Sequence, residues 1–277
     1  MKTLRGIRIL LAVLFFAATA ACLIVGPQIH PMARAAQSAQ IVLSAASITI
    51  GATLVWLLLT FLFGRIYCAT VCPVGTFSDI FFRIRRRVPK LNKPFSYRHP
   101  SRAGVHILWV YVLCLLLGIV GVPYLIEPWN MARNLVSAVR PETTAETWGM
   151  LHTQIGLGVA TGAVAGVVTA VLIALTSLWR GREFCSRYCP LGTAMGLMQG
   201  MTLYHIEIDP DRCTSCGRCE DICRSQCVKV VSRYVDDARC VRCFDCVAEC
   251  PEGAIRFQAN RNRRPASPLL RRKKMKV

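Results

Sequence analysis

Hydrophobic positions in this chain fall into four long runs, residues 7–26, 41–63, 105–126 and 155–179, separated by stretches that carry most of the charge. Each run is about as long as the roughly 20 apolar residues a helix needs to cross a bilayer. Beyond residue 179 no such run recurs, and short apolar stretches alternate with closely spaced cysteines. The pattern predicts an all-α four-helix transmembrane bundle, followed by a small α+β module over residues 204–258 and a basic tail, 259–277.

The first run follows Lys2, Arg5 and Arg8, as the core of a signal peptide does, and Thr19-Ala20-Ala21-Cys22 faintly resembles a lipoprotein cleavage site. Thr19 is a poor residue for that position, and the run continues through Leu23, Ile24 and Val25, so the segment reads as a retained span. Lys and Arg crowd the N-terminus and the loop 77–104 (Arg83, Arg85, Arg86, Arg87, Lys90, Lys93, Arg98, Arg102). The other two connections hold only Arg34, and Arg133 with Arg140. This asymmetry places the N-terminus, the basic loop and the module after the fourth run in the cytoplasm. Glu127 and His152 then lie on the outer side, and His99 and His106 on the inner, as candidate proton-handling groups at the membrane edges.

Composition agrees with a membrane chain, since 53% of the 277 residues are hydrophobic and 18% charged. A net charge of +19 raises nucleic acid as a partner. The basic residues flank apolar runs and fill the tail instead of decorating a nucleic-acid fold, so no nucleic-acid partner is expected. The tail reads as a disordered strand held by charge near anionic lipid.

Fifteen cysteines would suit a secreted disulfide scaffold, but eight of them fall in another spacing. Cys213, Cys216, Cys219 and Cys223, then Cys240, Cys243, Cys246 and Cys250, each form C-x2-C-x2-C-x3-C. Bacterial ferredoxins hold two 4Fe–4S clusters on this run, with the fourth cysteine serving the other cluster. The expected quartets are therefore Cys213, Cys216, Cys219 and Cys250 for the first cluster, and Cys240, Cys243, Cys246 and Cys223 for the second. Structural zinc is the competing reading, and zinc sites rarely repeat this run. One departure stands out: Cys250 is followed by Pro251 as in ferredoxins, whereas Cys223 is followed by Arg224, with a spare thiol at Cys227. Spacing favours Cys223 over Cys227 as the ligand.

A repeat links the apolar runs. The second ends in Gly64-Arg65-Ile66-Tyr67-Cys68-x3-Cys72-Pro73-x-Gly75-Thr76, and the fourth in Gly181-Arg182-Glu183-Phe184-Cys185-x3-Cys189-Pro190-x-Gly192-Thr193. The chain therefore divides into two parallel two-helix repeats, 1–76 and 105–193, joined by the basic loop 77–104. Cysteines at i and i+4 share one side of a helical turn, so the two pairs can present four thiols together. Three readings compete for Cys68, Cys72, Cys185 and Cys189. They are a shared metal or iron–sulfur site, a redox-active dithiol pair with Arg65 and Arg182 lowering the thiol pKa, and a packing role.

These motifs in this order resemble the NapH/MauN-type membrane ferredoxins, and more distantly the membrane part of the NosR regulator and the polyferredoxin copper reductase of oxidase assembly. Residues 126–130 (Ile-Glu-Pro-Trp-Asn) are also similar. The resemblance implies a multi-pass protein of the bacterial inner membrane, a redox subunit of a quinol-linked oxidoreductase. It would relay electrons between menaquinol or ubiquinol and a ferredoxin, cytochrome or reductase partner. The alternative is an accessory factor that reduces a metal ion such as copper for another enzyme's maturation, a role that soft repeat thiolates would suit.

Overall fold

The computed structural model describes residues 2–25, 50–117, 119, 126–139 and 159–259. Arg34, Arg140, His152, the start of the second run and residues 260–277 lie outside the described residues. In chain order the first repeat contains α1 (Lys2–Val25), α2 (Ile50–Phe63), α3 (Ile66–Thr70) and α4 (Pro73–Arg87). The second contains α5 (Ala103–Leu116), α6 (Pro128–Val139), α7 (Val159–Arg180), α8 (Glu183–Arg187) and α9 (Pro190–Met198). The C-terminal module contains β1 (Tyr204–Ile208), α10 (Arg218–Asp221), β2 (Val228–Lys229), β3 (Tyr234–Val235), α11 (Asp245–Glu249) and β4 (Ile255–Ala259).

Among the described helices, α1 alone has the length and composition of a full crossing (Thr3–Ala21). The apolar parts of α2, α5 and α7 are shorter, at Leu54–Phe63, Ala103–Leu116 and Val164–Arg180. All four helices turn apolar side chains outward, among them Leu10, Leu58, Trp109, Leu116, Leu172 and Trp179.

Two expectations change. The segment that begins at residue 77 is not all loop, because Pro73 starts a helix that continues to Arg87. Proline suits this first helical position, where its missing N–H is no loss. The connection after the third run holds a further helix, α6, again opened by proline, and it packs along α7. Gly166 allows the approach, since a Cβ there would lie 2.4 Å from the Asn134 carbonyl carbon. Arg133, read from the sequence as a loop charge, is buried on α6. The amphipathic pattern of residues 128–139 is too short and too polar to register as a span, which is why the sequence reading passed over it.

In the module, β1 pairs antiparallel with β4 (Tyr204↔Ala259 to Ile208↔Ile255) and β2 with β3. Ile206, Ile208, Val228, Val235, Val247 and Ile255 form its core around the cysteines. The end of the basic loop straps this module. The Phe95 N–H donates to the Asp221 carbonyl, the Tyr97 N–H to Glu220 Oε1 and the Arg98 N–H to the Gln226 carbonyl.

Candidate iron–sulfur site

The two ferredoxin-spaced runs adopt matching backbones. The residue before the second cysteine has positive φ in both, Ser215 at 57° and Arg242 at 54°. So does the residue after it, Gly217 at 82° and Phe244 at 60°. Alternating left-handed residues turn successive N–H groups to one side of a loop, the concavity that receives anions and iron–sulfur groups. Arg242 and Phe244 hold this conformation against the steric cost that side chains meet there.

The loops bring cysteines of the two runs near one another. Cys213, Cys216, Cys219 and Cys250 line one recess with Ile208, Val230 and Ile255. Cys246 has Cys243, Cys240 and Cys223 as electrostatic neighbours, and Cys219 of the other quartet beyond them. The first quartet reaches the surface through exposed Cys216, whereas all four cysteines of the second are buried. Among the described residues no three of His, Cys, Asp or Glu converge as they would on one metal ion. A cubane spreads its thiolates over separate iron corners, so a wider arrangement of four sulfurs is what such a group needs.

Cys227 is buried beside the second quartet, its Sγ 3.5 Å from that of Cys223. Its thiol hydrogen-bonds Cys223 and Cys240. That bond, with further N–H donors from Cys227, Val228 and Ser225, holds the Cys223 thiol down at about 7, while Cys227 is pushed well up.

The repeat cysteines also meet. Cys68, Cys72 and Cys185 share a core with Tyr67, Met131, Ile173 and Met195, and Cys72 has Cys68, Cys185 and Cys189 as electrostatic neighbours. The two turns are built alike: Cys72 and Cys189 both precede a helix with ψ of 120° and bond back to Tyr67 and Phe184 through their N–H groups. Gly75 and Gly192 are required by close approach, because a Cβ would sit 2.2 Å from the Cys68 carbonyl oxygen in one case and 2.3 Å from that of Cys185 in the other.

The arginines of the repeat are exchanged. Arg65 donates to the Cys185 carbonyl at 2.5 Å, and Arg182 to the carbonyls of Cys68 at 2.9 Å and Gly75 at 3.0 Å. Each repeat's guanidinium thus braces the other repeat's cysteine turn. Arg182 and Arg65 do lower the Cys185 thiol pKa, but burial outweighs them. The guanidiniums serve backbone oxygens, and burial dominates, pushing Cys185 up to about 11, Cys189 up to about 12 and Cys72 well up.

Glu127 lies within electrostatic reach of Tyr111, as Cys189 does, and it accepts a hydrogen bond from Asn130. His99 and His106 lie at the start of the second repeat, with His106 exposed and the His99 carbonyl accepting from Arg187.

Between the repeats and the module lies a charge cluster that the sequence did not flag. Asp79, on α4, is buried among Arg8, Arg182 at 2.7 Å and Arg224 at 2.5 Å. Arg224 also pairs with Asp245, which Arg5 meets at 3.0 Å. Burial alone would raise the Asp79 pKa, but the three guanidiniums hold it far below the usual carboxylate range.

A family model described as a 4Fe-4S binding domain matches residues 46–92 and again 162–204, and a second so described matches 206–229. The first of these matches the C-terminal part of each repeat, including its cysteine pair. The methylamine utilization ferredoxin-type protein MauN of Paracoccus denitrificans is 28% identical over 65% of this chain and 55% of its own length. The ferredoxin-type protein NapH of Haemophilus influenzae is 23% identical over 75% of this chain and 67% of its own. An uncharacterized protein of Methanocaldococcus jannaschii is 23% identical over 76% of this chain and 71% of its own. No solved structure matches. These relatives and the matched 4Fe-4S binding domains support a NapH/MauN-type ferredoxin family for this chain, and with it an iron–sulfur electron-transfer role.

Proposed function

We propose that the chain is a multi-pass inner-membrane protein that passes electrons between the quinol pool and a partner redox protein. Cys213, Cys216, Cys219 and Cys250 hold one 4Fe–4S cluster, and Cys240, Cys243, Cys246 and Cys223 the other. Cys68, Cys72, Cys185 and Cys189 hold a further iron–sulfur or metal group. These groups supply one-electron chemistry, whose potential the protein sets through burial, charge and hydrogen bonds to sulfur.

The observation that carries this reading is the matched pair of left-handed cysteine loops, each closing on a quartet completed from the other run. The exposed apolar faces of α1, α2, α5 and α7 support four spans, because surface of that kind in water is unfavourable. The ion pairs of Arg5 and Arg8 with Asp245 and Asp79 support a shared cytoplasmic side for the N-terminus and the module. An apolar cavity of about 100 Å³ between α1, α4, α6 and α7, bordered by Pro73, Phe77 and Met131 next to the repeat cysteines, supports entry of a lipid-phase donor there. The exposed Cys216 edge supports exchange with a soluble or peripheral partner at the first quartet.

The test is anaerobic purification of the full chain in detergent, iron and sulfide analysis, and electron paramagnetic resonance after addition of a short-chain menaquinol. Signals of reduced clusters are expected. Iron-loaded protein that stays silent with quinol but reduces a copper(II) salt would favour the accessory role instead. That second reading has its own observation, four soft thiols beside Met195, whose Sδ lies 3.9 Å from Cys68 Sγ.

A further inference from the structure

The sequence departs from the ferredoxin pattern at Arg224, where the residue after the fourth cysteine is ordinarily proline. In the structure that residue is buried, and it contacts both the repeats and its own module. Its Nη1 meets Asp79 of the first repeat at 2.5 Å, and its Nη2 meets Asp245, next to Cys246. Its guanidinium lies over the Phe82 ring, 4.3 Å from the centroid. Its carbonyl accepts the Arg182 N–H at 2.8 Å. Gly181 fits this approach, since a Cβ there would lie 2.4 Å from the Arg224 oxygen.

A second arm runs parallel. Arg65 donates to the Ala238 carbonyl at 3.0 Å, and Gln199 to the Cys240 carbonyl at 3.0 Å. Cys68 is thus joined through Arg182 to the residue after Cys223, and Cys185 through Arg65 to the residue two before Cys240. Both chains of contacts end at the second quartet.

We propose that Arg224 is the positioning residue that seats the Cys223 turn on the paired repeat turns, fixing the separation between the second quartet and the repeat thiols. The inference rests on the reading above that both sets of cysteines hold redox groups. Burying a guanidinium is costly unless it is paired, and partners available in only one arrangement make a buried ion pair a device of registry. A free ferredoxin module has no Asp79, so its Arg224 would face Asp245 alone. The module gains its full complement only when docked on the first repeat. Exchange of single electrons between two held groups needs a fixed gap, and no bond is made or broken in it.

Arg224→Pro restores the ferredoxin pattern and so tests the seat without touching a ligand. The full-length variant, reduced with dithionite, is compared with wild type for iron per chain, spin–spin broadening in the resonance spectrum, and maleimide labelling of Cys68 and Cys185. The expected result is unchanged iron in the module, loss of the broadening and a gain in labelling, with Arg224→Lys intermediate. Unchanged broadening and labelling with iron intact would overturn the proposal. If Arg224→Pro does not fold, Asp79→Asn removes the same seat from the other side. The same losses are expected there, and a wild-type result would again overturn it. A Cys68→Ser, Cys185→Ser double variant that keeps all its iron would remove the third group from the proposed function. The labelling comparison would still decide the seat.

Discussion

Replacing Arg182 with Met tests the exchanged-arginine arrangement most directly. The guanidinium is fully buried and holds Asp79 at 2.7 Å, the Cys68 carbonyl at 2.9 Å and the Gly75 carbonyl at 3.0 Å. Methionine fills much of the volume but leaves two buried carbonyls without this donor and removes one of three cations from Asp79. Breaking a buried ion pair on one side costs about 3–5 kcal/mol. Arg8 and Arg224 remain beside Asp79, so a loss of about 4 kcal/mol is expected once the carbonyls, at about 1–3 kcal/mol each, are included non-additively. Arg182→Lys keeps the charge and forfeits the forked bonds, for a loss of about 2 kcal/mol. Denaturant titration in micelles, followed by tryptophan fluorescence, reads the change. Trp56 packs edge-on against Tyr67 beside Cys68 at 5.1 Å, so the probe lies in the affected turn. A methionine variant within about 1 kcal/mol of wild type, or a lysine variant as damaged as methionine, would refute the reasoning, since either result removes the forked bonds from the account.

Three further outcomes are expected. Cys227→Ser should keep all the iron of the module and Cys223→Ser should lose iron from the second quartet; the reverse pattern in iron analysis would make Cys227 the ligand. Gly75→Ala and Gly192→Ala should each destabilise the repeat core by about 1–3 kcal/mol or more, because the new methyl meets a backbone carbonyl that cannot swing aside; thermal unfolding checks this, and neutral substitutions would show that the turns relax freely. Asp79 has a folded pKa far below its unfolded value near 4, so its contribution to stability is complete above pH about 4 and is lost as pH falls below that. Melting temperatures between pH 3 and 7 should drop at the acid end, and Asp79→Asn should flatten that drop while lowering the plateau.

The metal-binding part of this protein was legible because chemistry fixes it locally. Eight cysteines at x2-x2-x3 spacing stand out by that spacing alone, and the repeat at Cys68 and Cys185 announced itself by identity at seven positions. What escaped were features set by long-range partners. Asp79 lies in an ordinary amphipathic stretch, and nothing near it in sequence points to Arg8, Arg182 and Arg224. Arg5, Arg8 and Arg133 looked like topology signals, yet Arg8 and Arg133 are buried and Arg5 reaches Asp245. The helix opened by Pro128 escaped as well, because a proline after an apolar run reads as the start of a loop. The departure at Arg224 was visible, and that residue pairs with Asp79 across the boundary between the two parts.

Exchanged arginines also bear on how such a chain arises. Neither half completes its own turn, so one half alone would leave its cysteine carbonyls unbraced. Two identical halves facing each other about a twofold axis would satisfy the same bonds in trans, which makes the present tandem equivalent to a tethered homodimer. Fusion then permits what identical copies cannot have, namely divergence at matched positions. Seven residues after the second cysteine the first half has Asp79, which grips Arg224, and the second has Gly196, whose bare backbone admits the Ala238 carbonyl. Differences of this kind give an otherwise two-sided platform unlike faces toward its ferredoxin module.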